Sequence, residues 1–61
     1  MNKIRTELSE RYGKARIIGR YNKETGELIE YKVYDAQRHV VLTATDYKKA
    51  KDVLMNGSIA R

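Results

Sequence analysis

Apolar and polar side chains alternate over residues 14–22 and 27–35, and a period of two residues is typical of β-strands that bury one face. The segment between them, NKETGE, is rich in turn-forming residues, and Gly26 can adopt the positive φ that a bulged hairpin requires. The matching register sets Ile17 opposite Val33. We therefore expect the two segments to form an antiparallel hairpin.

Each strand of this hairpin contributes alternate residues to each of two faces. On the apolar face we expect Tyr21 opposite Ile29, and Gly19 opposite Tyr31, whose ring can shield the glycine backbone. The other face, here called the mixed face, combines charged, aromatic and aliphatic side chains. Its predicted cross-strand pairs are Arg16 with Tyr34, Ile18 with Lys32, and Arg20 with Glu30.

A third strand is predicted over residues 39–45, HVVLTAT, after a turn at DAQR. Pairing Asp35 with Arg38 adds three residues to each face, and a slip of one residue would exchange the two sets. The sets are Val40, Leu42 and Ala44 on the apolar face, and His39, Val41 and Thr43 on the mixed face.

Two helices flank the strands in this interpretation. Residues 2–12 repeat an apolar side chain every four positions, and Gly13 follows where a left-handed C-cap belongs. Residues 46–56 carry a second apolar stripe that can cover the apolar face. Asp46, or the threonine before it, can cap this helix, and Gly57 ends it. The predicted fold class is α+β, a three-stranded antiparallel β-meander with an N-terminal helix and a C-terminal helix (α-β-β-β-α).

Size and composition narrow the classes of protein that fit. The 61 residues suffice for a single small domain, residues 1–61, and the chain has no cysteine and only one histidine, His39. We therefore expect no metal site and no cofactor. No signal peptide and no membrane-spanning stretch is recognisable, so we expect a cytoplasmic protein without a membrane partner.

Charge indicates the kind of partner. Thirteen Lys and Arg against eight Asp and Glu give a formal net charge of +5. A positive balance favours a polyanion such as nucleic acid, because the attraction acts over a long range.

Catalytic constellations are missing from the sequence. Ser9 and Ser58 lie far from His39 along the chain, and there is neither a glycine-rich dinucleotide motif nor a phosphate-binding loop. A chain this short also has little volume for a water-poor cleft. We therefore expect no enzymatic activity.

The mixed face is the best candidate for a binding site. Arg16, Arg20 and Lys32 can neutralise phosphates, and the arginine fork can also read guanine. Tyr34 and His39, neighbours in the predicted register, can stack on bases or donate hydrogen bonds.

Two further groups of residues bear on this site. Lys48 and Lys49 of the second helix offer a separate phosphate-binding site. Ile18, Leu28 and Val41 add aliphatic surface to the mixed face, and such surface is usually covered. Either the first helix covers it or an external partner does, and this choice decides whether the mixed face can bind a ligand.

The predicted meander, with its basic face and following helix, resembles two groups of small DNA-binding domains. They are the N-terminal domains of tyrosine-recombinase integrases and the plant AP2 domains, and the likeness is one of topology over residues 14–57. In those modules a sheet face enters the major groove, where arginines read bases and neighbouring residues grip phosphates. The resemblance implies the same use of the mixed face here.

Two functions follow from these observations. The first is a non-catalytic nucleic-acid-binding protein, accessory or regulatory and of a phage or mobile-element type, with DNA favoured over RNA. The second is a protein-interaction module, either a small inhibitor or adaptor or a homodimer. Its interface would have Arg16 and Arg20 at the rim and a hydrophobic centre formed by Ile18, Leu28, Tyr34 and Val41. The positive net charge favours the first.

Overall fold

The computed structural model describes residues 3–56, which form a four-stranded antiparallel sheet followed by one helix. The strands lie side by side in chain order. Helix α1 packs on one face of the sheet, against β2, β3 and β4. The element bounds are Ile4–Tyr12 for β1, Ala15–Asn22 for β2, Leu28–Tyr34 for β3, Val40–Ala44 for β4 and Tyr47–Leu54 for α1.

The predicted N-terminal helix is wrong, because the first segment is strand β1. The order is therefore β-β-β-β-α with a four-stranded sheet, and the three-stranded α-β-β-β-α layout is overturned. Four-residue spacing of apolar side chains is also a multiple of the strand period, so it does not exclude a strand. An isolated helix of this length is marginal, whereas a strand gains a ladder of hydrogen bonds along β2.

A β-bulge in β1 exchanges the faces to which its even-numbered and odd-numbered residues point. The register shifts between Leu8 and Glu10, so that Ser9 is an extra residue. Leu8 lies opposite Ile18 on the mixed face, whereas Glu10 lies opposite Ile17 on the apolar face.

The turn between β1 and β2 has only two residues, Gly13 and Lys14. Gly13 has a φ of 60°. It thus has the left-handed conformation expected of it, but in a tight hairpin turn with glycine in the first position rather than at a helix end.

The predicted register between β2 and β3 is confirmed for five consecutive pairs, from Arg16 opposite Tyr34 to Arg20 opposite Glu30. The sixth pair is wrong, since a register shift sets Tyr21 opposite Leu28 instead of Ile29. The five confirmed pairs are the three mixed-face pairs expected from the sequence and two apolar-face pairs, Ile17–Val33 and Gly19–Tyr31.

Gly19 is covered by a tyrosine, but by a different one from that expected. A Cβ added at Gly19 would lie 2.8 Å from Tyr21 Cε1 and 3.1 Å from Ser9 Oγ. Tyr21 therefore lies over the glycine in place of Tyr31, and the side chain at the bulge fills the remaining space.

The predicted register of β4 is displaced by two residues. Lys32 lies opposite Thr43 rather than Val41, and a second shift then sets Val40 opposite Tyr34. Leu42 and Ala44 keep their places on the apolar face because a displacement of two preserves parity. Val40 instead joins the mixed face, and Val41 is the extra residue of the bulge.

The core lies between the apolar face and α1. Its buried side chains are Ala15, Ile17, Val33, Ala50 and Leu54. Asp46 caps the helix by accepting a hydrogen bond from the Lys48 backbone N–H at 2.9 Å. Gly57, the predicted end of this helix, lies outside the described residues. Residues 3–56 contain no helix with the length and apolar character needed to cross a membrane.

Candidate functional site

The mixed face carries no packed element within residues 3–56, because the N-terminal segment extends the sheet sideways instead of lying across it. Strand β1 widens this face, with Leu8 beside Ile18 and Arg11 beside Arg16. Strand β4 adds Val40 beside Tyr34.

In one half of the mixed face, a carboxylate partly neutralises the positive charge. Arg20 donates a hydrogen bond to Glu30 Oε2, and Lys32 Nζ lies 3.9 Å from the same oxygen. All three side chains are about one quarter exposed. Glu30 therefore already offsets part of the charge of two cations that the sequence assigns to phosphate binding.

The other half, towards the end of the sheet, has cations without carboxylate partners. The β1–β2 turn and the β3–β4 turn meet at this end because the strands are antiparallel. Four cationic side chains gather there, and none forms an ion pair with a carboxylate within residues 3–56. This cation cluster consists of Arg11, Lys14, Arg16 and Arg38.

Arg38, the fourth member of the cluster, lies in the β3–β4 turn and has a strained backbone conformation. Its φ is 68°, the only positive value of a non-glycine residue within the described chain. Asp35 holds the turn, since its Oδ1 accepts hydrogen bonds from the backbone N–H groups of Gln37 at 2.9 Å and His39 at 2.8 Å. Such a φ costs an L-residue about 1–2 kcal/mol, so the turn retains an arginine where glycine would be easier to accommodate.

Two neighbouring cavities lie along the cluster. The first, here called the cleft, has a volume of about 290 Å³ and is lined by Arg16, Ile18, Tyr34 and Arg38. The second, the hollow, has a volume of about 310 Å³. Its lining consists of Arg11, Gly13, Lys14, Arg16, Ala36 and Arg38. Arg16 and Arg38 thus belong to both cavities.

Arg16 has a polar atom in need of a partner. Its Nε is buried and has no hydrogen-bond partner within residues 3–56. A buried N–H without an acceptor is uncommon and costly.

Three of the predicted site residues, Arg16, Ile18 and Tyr34, lie together in the cleft. His39 does not, because the displaced register leaves it in the turn. Its side chain is 79% exposed, with Nδ1 3.9 Å from Asp35 Oδ2. Tyr34 faces Val40 instead.

The remaining predicted residues lie elsewhere. Lys48 and Lys49 are exposed on α1, which packs on the opposite face of the sheet, so the structure separates them from the mixed face. Val41 is the exposed bulge residue of β4. Leu28 lies opposite Tyr21, at the far end of β3 from Tyr34.

Sequence reasoning missed Arg11, Lys14 and Arg38. Arg11 belongs to the site because β1 is a strand, whereas the predicted helix over residues 2–12 placed it elsewhere. Lys14 was assigned to the first predicted strand, and it lies instead in the turn between β1 and β2. For Arg38 a signal was present, since the DAQR turn directly follows Tyr34 and brings its arginine back to the same end of the sheet.

A separate polar network connects α1 to β1 on the apolar face. Tyr47 donates a hydrogen bond from its hydroxyl to Glu10 Oε1 at 2.9 Å, and Lys51 Nζ lies 3.7 Å from Glu10 Oε2. The Tyr31 and Tyr47 rings meet edge to face at 5.1 Å. Burial is the main cause that raises the pKa of both phenols, helped at Tyr47 by Glu10 and at Tyr31 by Tyr21. This network belongs to the packing of the helix.

Metal-ligating groups do not converge within the described chain, where no three His, Cys, Asp or Glu side chains are placed to hold an ion. Neither cavity, as lined by described residues, contains a carboxylate, histidine, serine, threonine or cysteine. The cationic lining of the two cavities can bind an anion.

Comparison with known proteins returned no match to this chain among family models, curated proteins or solved structures.

Proposed function

We propose that this protein is a non-catalytic nucleic-acid-binding protein that holds phosphates with the cation cluster. The observation that carries the proposal is the absence of carboxylate partners around Arg11, Lys14, Arg16 and Arg38 within residues 3–56. Four like charges at one end of a small sheet repel one another, which favours a polyanionic ligand that would relieve the repulsion.

The contrast within the mixed face supports this assignment. Arg20 and Lys32 share Glu30, whereas the cluster has no such partner. Arg16 supplies a buried donor, and Arg38 is held in a costly backbone conformation. Backbone strain of this kind is concentrated at functional sites.

A pair of single charge reversals tests the proposal. Lys14 lies in the β1–β2 turn and Lys48 on α1, and both are exposed and without an ion pair within the described residues. We expect Lys14→Glu to weaken binding to a short labelled oligonucleotide at low salt by roughly ten-fold or more, because phosphate contacts dominate affinity. Lys48→Glu changes the net charge equally and should leave most of the affinity intact. Equal losses, or no binding by the wild type, would contradict the proposal.

A second candidate function is association with another protein, and exposed aliphatic side chains on the same face favour it. Leu8 is 56% exposed and Val40 46% exposed, and Ile18 lies half-buried between them. If this face forms a protein interface, light scattering will show an oligomer that Ile18→Asp dissociates. A monomer at all concentrations would remove self-association.

A further inference from the structure

The cleft and the hollow differ in chemistry although they share two walls. In the cleft, Ile18 and Tyr34 provide aliphatic and aromatic surface beside the cationic side chains of Arg16 and Arg38. The hollow is lined by cationic side chains and by two small residues, Gly13 and Ala36. Among the described residues, it has no aromatic or large aliphatic side chain in its lining. A ligand that fills both must carry a flat, partly apolar group a short distance from an anionic group.

A nucleotide has this combination. The cleft, at about 290 Å³, lies at the lower end of the range for small-molecule sites, which fits one base rather than a larger ligand. Aromatic and guanidinium groups both stack on bases. A plain polyanion such as polyphosphate would occupy the hollow alone.

Filling both cavities with duplex nucleic acid costs free energy. Its bases are stacked and paired, so placing one in the cleft requires unstacking and extrusion. A single strand presents unstacked bases at lower cost.

Resting on the proposed function, we infer that the site binds single-stranded nucleic acid by taking one unstacked base into the cleft, against Tyr34 and Ile18, with the adjoining phosphates in the hollow. Arg16 and Arg38 contact both parts of that nucleotide.

Tryptophan substitution gives a direct optical test. The chain contains no tryptophan, so Tyr34→Trp introduces a single indole at the cleft. We expect a single-stranded oligonucleotide to quench its fluorescence by stacking. A strand of equal length with abasic sites carries the same phosphates but no bases, and it should bind without quenching.

A second test compares the affinities of the unmodified protein for three ligands, a single strand, an abasic strand and a duplex, and requires no substitution. The single strand should bind roughly ten-fold or more tightly than the abasic strand, since stacking of a base on an aromatic ring is a substantial contribution. It should also bind more tightly than the matched duplex. DNA and RNA single strands are compared in parallel, because the base and phosphate chemistry is shared by both.

Tyr34→Leu separates base contact from structural support. A contact role predicts a loss of affinity for the single strand and little change for the abasic strand, whereas a structural role lowers both. Tighter binding of the duplex, or equal binding of the abasic strand, would overturn this inference and leave the proposed function standing. Absence of binding to every nucleic acid at low salt would overturn the proposed function itself.

Discussion

Arg38 combines backbone strain with a place in the cation cluster, so stability and binding should respond to its replacement in opposite directions. Glycine adopts a φ of 68° without the steric cost that arginine bears. We expect Arg38→Gly to raise the free energy of unfolding by up to about 1 kcal/mol, after allowing for the greater entropy of the unfolded chain. Urea denaturation measures this change.

The same variant should bind nucleic acid more weakly because one phosphate contact is lost. Arg38→Lys is the matched control, since it keeps the charge and the strain and should retain most of the affinity. Lower stability of Arg38→Gly would show that the arginine contributes more to the turn than its φ costs.

Gly19 is required by the close approach of a neighbouring ring. In Gly19→Ala the new methyl would lie 2.8 Å from Tyr21 Cε1 and 3.1 Å from Ser9 Oγ. We expect the free energy of unfolding to fall by about 1–3 kcal/mol, as for overpacked sites.

A double-mutant cycle identifies the cause of this loss. With Tyr21→Ala in the background, the methyl gains room, and the cost of Gly19→Ala should shrink. An unchanged cost would mean that the Tyr21 ring is not the obstacle.

Strand β1 is the element for which the sequence and the structure disagree most, and amide exchange distinguishes the two. The Lys23 backbone N–H donates to the Lys3 carbonyl, and the ladder alternates from there. The amides of Arg5 and Glu7 therefore point to β2 and should exchange slowly, whereas that of Thr6 points outwards and should exchange fast. Similar protection at Thr6 and Glu7 would instead indicate a helix.

Two partly buried tyrosines, Tyr31 of β3 and Tyr47 of α1, make stability depend on pH. The pKa values of Tyr31 and Tyr47 are raised in the folded protein, so the unfolded chain loses these protons first as the pH rises past about 10. The folded state then holds more protons, and the free energy of unfolding falls with further increase in pH.

Phenylalanine at these positions should remove that contribution. We expect the double variant Tyr31→Phe/Tyr47→Phe to lose less stability between pH 9 and pH 11 than the wild type, as measured by denaturant midpoints (the interval spans the usual tyrosine value of about 10). At neutral pH it should be less stable by about 1 kcal/mol, because the hydrogen bond to Glu10 is lost. An equal decline in both proteins would assign the pH dependence to other groups.

How far each element could be predicted depends on how unambiguous its local signals are. Strands β2 and β3 have a largely alternating pattern and a clear turn between them, and the register predicted from Arg16 to Arg20 is correct. The prediction for the segment of β1 was wrong because its apolar spacing fits both a helix and a strand. The predicted register of β4 was wrong because no sequence pattern indicates the bulge at Val41 or the left-handed conformation of Arg38.

For the molecule as a whole, the prediction of the candidate site was limited by these same elements. Arg16, Ile18 and Tyr34 come from the well-patterned hairpin and were predictable. Arg11 required knowledge that the first segment is a strand that pairs with β2, and Lys14 required the position of the turn between them. Glu30 lies opposite Arg20 in the predicted register, yet only its side-chain position shows that it engages Lys32 as well.

The salt dependence of single-strand binding tests the role of the cation cluster most directly. Four phosphate contacts predict a slope of about −3 for the logarithm of the binding constant against the logarithm of salt concentration. Arg11→Gln/Arg38→Gln and Lys48→Gln/Lys49→Gln both lower the formal net charge from +5 to +3. We expect the first variant to reduce the magnitude of the slope by about 1.4, and the second to leave it unchanged. Equal slopes in the two variants would mean that net charge, and not the cluster, attracts the nucleic acid.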